Sequence, residues 1–101
     1  MEHVVDKVSD ITAQDVADYL RLTEVDEGDE NTLNTMIKVA KTYIKQYTGR
    51  SEAELDNYSD FVIVLLILCQ DMWDNRVLYI NTGNVNKVVD SILGLHSVNL
   101  L

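Results

Sequence analysis

Hydrophobic positions recur at helical spacing in four stretches of the chain. In the first, Val16, Tyr19 and Leu20 stand at i, i+3 and i+4. Thr12 and Asp15 ahead of them have the spacing of a capping box, and Ile11 and Val16 that of a hydrophobic staple. A short helix ending near Leu22 is predicted. In the second stretch, Leu33, Ile37, Ala40, Ile44 and Tyr47 form one apolar face from about Thr32 to Tyr47. Gly49 follows as a C-cap glycine. The third stretch predicts a helix from Tyr58 to Tyr79 or Ile80, on the order of 33 Å long. In the fourth, Val85, Val88, Val89, Ile92 and Leu93 repeat the helical spacing, and Gly94 is expected to stop it.

The connecting segments read as turns. TEVDEGDEN (23–31) is an acidic loop in which Gly28 permits a turn and Asp29 or Asn31 can cap the next helix. Ser51 and Glu54 can form a second capping box around one extra helical turn, and NTGN (81–84) is a turn. Proline is absent and glycine occurs four times in 101 residues, which favours helices over a turn-rich β fold. The expected architecture is a small all-α, four-helix domain over residues 11–95. Its third helix is long, central and apolar, and three shorter helices pack around it. Residues 1–10 are expected to be a flexible arm and 96–101 a short tail.

That third helix carries more apolar surface than one core face needs. On a helical wheel Val62, Leu66, Cys69, Trp73, Val77 and Ile80 form the expected core stripe, flanked by Phe61, Leu65, Leu68 and Met72. Ile63, Val64 and Ile67 point away from it. A large aliphatic side chain left in water forgoes about 1.5–3 kcal/mol of burial. The three together predict a patch covered by a neighbouring subunit or, alternatively, by Val4, Val5 and Val8 of the arm.

Charge adds a second asymmetry. The net charge is −9, and it is unevenly placed. Residues 1–30 hold ten acids and two bases, residues 31–50 four bases and no acid, and residues 51–101 seven acids and two bases. Lys38, Lys41 and Lys45 share one flank of the second helix. A basic segment between acidic ones suits identical subunits meeting head to tail. It also suits plain solvated faces.

Candidate chemistry is sparse. His3 and His96 lack second ligands at metal spacing, and no phosphate-binding glycine loop or nucleophile elbow occurs. The acidic loop fails the calcium-loop pattern: from Asp26 the sixth and twelfth residues are Asn31 and Ile37. Cys69, within an apolar run, reads as an inert small hydrophobe, and Asp71 with Asp74 as a solvated face. The longest apolar run, nine residues from Phe61, is far short of the roughly 20 that span a bilayer. No secretion signal is recognisable, so a soluble protein of a reducing compartment is expected. Three lysines on an acidic chain give only weak phosphate contact. No catalytic residue, cofactor or metal is expected.

One set of residues carries a family resemblance. Tyr19-Leu20-Arg21 closes a short helix, and an acidic loop follows from Glu24 to Glu30. A helix then ends in Tyr47-Thr48-Gly49-Arg50, and an apolar helix closes with Trp73-Asp74-Asn75-Arg76 before a short last helix. In order and spacing, residues 11–95 resemble the head–tail connector (adaptor) proteins of tailed bacteriophages. The glycine-containing acidic loop and the short tail depart from that pattern.

The resemblance implies a structural virion protein and not an enzyme. Such a subunit is made in the bacterial host cytoplasm and sits at the head–tail junction. It assembles as a homo-oligomeric ring beneath the portal protein, dodecameric if it matches the portal. It extends the DNA channel, with DNA as non-specific cargo, and docks the stopper or tail-completion protein; no membrane is involved. The resemblance marks Tyr47, Thr48, Gly49, Arg50, Trp73, Asn75 and Arg76. Residue chemistry nominates Lys38, Lys41, Lys45, Ile63, Val64 and Ile67 for subunit contacts. The competing reading is an acidic DNA mimic that occupies a host DNA-binding protein. It expects acids spaced along one surface, whereas here they cluster in loops and at helix starts.

Overall fold

A computed structural model of the chain describes residues 5–83 and 85–98. Its described residues form an all-α domain: a 3-10 turn at Val8–Asp10, then α1 (Ala13–Tyr19), α2 (Glu27–Thr48), α3 (Glu52–Leu55), α4 (Asp60–Asn75) and α5 (Lys87–His96). The pair α2 and α4 forms the centre, with α1 and α5 each packed on both. Leu33, Met36 and Ile44 of α2, Phe61, Leu65 and Leu68 of α4, and Val89 and Leu93 of α5 are all buried.

Capping boxes set three helix starts. Thr12 with Asp15 opens α1 and Ser51 with Glu54 opens α3, both at the expected positions. The third lies where a loop was expected. Asp26 accepts from the Asp29 N–H at 2.7 Å, and the Asp29 carboxylate accepts in return from the Asp26 N–H. α2 therefore starts at Glu27, five residues before the predicted Thr32. The acids of 26–30 stabilise a helix start, because carboxylates satisfy free N–H groups and oppose the positive end of the helix dipole. With 22 residues, α2 is the longest helix.

The helix over the third stretch is correspondingly shorter than predicted, with 16 residues. Arg76 adopts a left-handed backbone (φ 57°), and its N–H bonds back to the Met72 and Trp73 carbonyls. The Val77 N–H reaches the Met72 carbonyl at 3.1 Å. This is the termination usually made by glycine. Here the guanidinium lies 5.0 Å from the Trp73 ring centroid, and Asn75 Nδ2 donates to the Asp71 carbonyl at 2.8 Å. α5 in turn runs through Gly94 to His96, and Asn86 caps its start by accepting from the Val88 N–H.

The arm is not loose where it is described. Val8 is buried, and the turn containing it packs on α4. Ser9 donates from both its N–H (3.0 Å) and its hydroxyl (2.7 Å) to the Asp56 carboxylate. Val4 and His3 lie outside the described residues.

Candidate interaction surface

α2 is electrically polar along its length. Asp26, Glu27, Asp29 and Glu30 surround its first turn, whereas Lys38, Lys41 and Lys45 occupy its second half. Glu30 and Lys45 are separated by about 22 Å of helix. Lys38 is exposed, and Lys41 and Lys45 are half-buried with their stems along the surface. Among the described residues, no carboxylate lies within ion-pair reach of these lysines. Lys41 still helps, after the two Ser9 hydrogen bonds and Lys7, to hold the Asp56 carboxyl below its usual value.

The expected apolar patch on α4 is only partly exposed. Ile63 is 54% exposed and Ile67 half-buried, but Val64 is fully buried and cannot serve as a contact surface. The core side of α4 is rotated about a quarter turn from the predicted stripe. It is centred on Phe61, Leu65, Leu68 and Met72, with Val64 at its edge, while Leu66 and Trp73 are only half-buried. The Val8 turn packs on α4, so the arm covers part of its apolar surface.

A larger apolar exposure lies elsewhere. After Arg76 the chain leaves the helix, and Leu78 and Tyr79 stand 49% and 62% exposed. They form one wall of an open groove whose other wall is α2, through Lys38, Val39, Thr42 and Tyr43. The most exposed lysine of the basic stripe therefore borders exposed apolar side chains. Periodicity missed this groove because it extended the preceding helix through Ile80.

Residues Tyr47 to Arg50 contribute to a brace between the ends of α2, α4 and α5. Gly49 takes a left-handed backbone (φ 72°) and ends α2. Thr48 is buried, and its hydroxyl donates to the Ile44 carbonyl at 2.7 Å. Its carbonyl accepts from the Val98 N–H at 2.8 Å. Tyr47, expected on the core face, is 40% exposed and sets its ring at a tilt against that of Tyr43 instead. The satisfied hydroxyl lets the small Thr48 take the buried position one residue on.

Arg50 completes the brace. Its Nε donates to the His96 carbonyl at 2.6 Å, its guanidinium lies 4.8 Å from the Tyr58 ring centroid, and Glu54 pairs with it at 3.4 Å. The His96 ring packs on Tyr58 and Phe61, and its Nε2 lies 2.8 Å from Asp60 Oδ2. His96 was expected in the short C-terminal tail, with no second ligand at metal spacing. Its partner is 36 residues away in the chain, so spacing motifs do not reveal it. A base in the last turn of one helix and an acid opening another were the available signals.

Cys69 is fully buried in apolar surroundings, and burial pushes its thiol up to about 12, far from the reactive thiolate. Asp71 and Asp74 lie on the outer side of α4. Among the described residues, no three His, Cys, Asp or Glu side chains are placed to hold a metal ion, and no helix is long and apolar enough to cross a membrane. No family model, curated protein or solved structure matches the chain.

Proposed function

We propose that this chain is a structural, non-catalytic subunit of a phage head–tail connector, acting in the virion as one copy of a ring beneath the portal. The observation that carries this reading is the charge polarity of α2, with acids around its first turn and lysines in its second half. A subunit with unlike charges at opposite ends of one rod suits a heterologous contact, in which one copy's basic end meets the next copy's acidic end. Repeated around an axis, such contacts close a ring. The Leu78–Tyr79 wall beside Lys38 supplies apolar area for the same contact.

Two further features support the proposal. The residues that carry the connector resemblance, Tyr47 to Arg50 and Trp73 to Arg76, shape helix ends and hold the domain together. In this reading they serve as scaffold, which leaves the outer surfaces to meet the partners. The acids that do not face a neighbour would discourage DNA from sticking to the channel wall, since like charges repel phosphates.

Native mass is the test, by light scattering or native mass spectrometry, on the protein alone and mixed with portal rings of its own phage. The expected result is a closed ring, or saturable binding at one copy per portal subunit. A monomer that ignores the portal at every ionic strength overturns the reading.

A further inference from the structure

A further hollow shares Tyr79 and Ile80 with the lysine groove, and it is of a different kind. It measures about 390 Å³, and Leu68 and Met72, both buried in the core, line its floor. Val77, Ile80 and Val85 add apolar wall. Its size is within the range of small-ligand sites, which combine apolar lining with a few polar groups.

The polar groups around it differ in what they have left to offer. Asn75 Nδ2 is engaged by the Asp71 carbonyl, and Asn81 Oδ1 accepts from the Gly83 N–H at 3.1 Å. Asp74 lies outside the lining, and its carboxylate accepts from Gln70 Nε2 at 2.9 and 3.0 Å. The Asp71 carboxylate, at the mouth, has no hydrogen-bond or ion-pair partner among the described residues. We infer that this hollow is a binding site for an organic cation, an ammonium group on a small apolar body, with Asp71 meeting the charge and the Leu68–Met72 floor taking the apolar part. Partial burial and the neighbouring Asp74 charge both make an ionised Asp71 less comfortable alone, which a bound cation relieves. The net charge of −9 also enriches cations near the surface. The ammonium can come from a free amine or from a lysine side chain of a peptide.

The test is a methyl NMR titration of the full chain with phenethylamine. Same-shaped neutral and anionic probes, 2-phenylethanol and 3-phenylpropionate, and the peptide acetyl-Leu-Lys-Leu-amide run in parallel. Phenethylamine is expected to shift the Leu68, Met72, Ile80 and Val85 methyls with a Kd on the order of 1 mM. The neutral probe should bind more weakly and the anion not at all. D71N should weaken the amine about three- to fivefold, the scale of one exposed charge pair, and D74N less. V85W, which fills the hollow at a half-exposed position, should abolish binding while the fold persists by circular dichroism. A stronger response to the peptide than to the amine assigns the cation to a partner's lysine, and the reverse to a free amine. Absence of shifts with both, or an equal response to the anion, overturns the proposal.

Discussion

His96 Nε2 and Asp60 Oδ2 lie 2.8 Å apart, joining the last residue of α5 to the first residue of α4. The His96 ring also packs on Tyr58 and Phe61, and its carbonyl receives the Arg50 guanidinium. Replacing His96 by Ala removes the ring contacts and the pair together. A stability loss of about 1–2 kcal/mol is expected, read as a lower urea midpoint at an unchanged slope. An unchanged midpoint would show that the brace contributes nothing.

Asp56 provides a pH test. The two Ser9 hydrogen bonds hold its carboxyl below the usual carboxylate range, so its folded value lies below its unfolded one. The stability it contributes is therefore present above the unfolded value of about 3.9 and is lost as pH falls through the folded value. Urea midpoints of the parent and Asp56→Asn proteins should differ most near neutral pH and converge in acid below about pH 4. A gap that stays constant into acid would remove the Ser9 pairing from the account.

Gly49 is the left-handed residue that closes α2. Ala in its place should cost about 1–2 kcal/mol, because a Cβ crowds the following carbonyl in that conformation. Thermal unfolding of Gly49→Ala checks this, and a melting point equal to the parent's would contradict it.

Ile63 and Val64 are adjacent, and the fold assigns them opposite roles. Val64→Asp places an unpaired carboxylate in the core and should cost about 3–5 kcal/mol, enough to unfold a small domain. Ile63→Asp should change stability by less than about 0.5 kcal/mol, as exposed substitutions do. Circular dichroism at one urea concentration separates the two. Equal tolerance would mean that α4 is turned to another face.

Replacing Lys38, Lys41 and Lys45 with Glu reverses one end of α2. The proposed ring should fail to form, while the isolated domain keeps its helical spectrum. Normal assembly of the triple variant would eliminate charge pairing as the basis of the contact.

Local rules made much of this fold legible. Thr12–Asp15 and Ser51–Glu54 are capping signatures because their chemistry is complete within four residues, and both open helices as read. The i, i+3, i+4 stripe on α2 correctly placed Leu33, Ile37, Ala40 and Ile44 in the core. Where the pattern failed, a local device overrode it. Asp26 and Asp29 cap a helix within a segment whose composition reads as loop. Arg76 ends α4 in a conformation that sequence reading reserves for glycine. On α4 almost every position is apolar, so periodicity could not fix which side faces inward, and Val64 was assigned to the wrong side. The candidate surface was legible in its charges, Lys38 above all. Its apolar half, Leu78 and Tyr79, depended on where α4 stops. The Asp60–His96 pair depended on tertiary approach alone.

The Ser9–Asp56 and Thr48–Val98 hydrogen bonds close two long loops in the chain. Each loop takes in about half of the sequence, and they share residues 48 to 56. A break anywhere from residue 10 to residue 97 opens at least one, and a break within the overlap opens both. The helices of each half pack on those of the other. The domain should gain or lose its structure in a single cooperative step, with closure of these long loops setting the pace of folding.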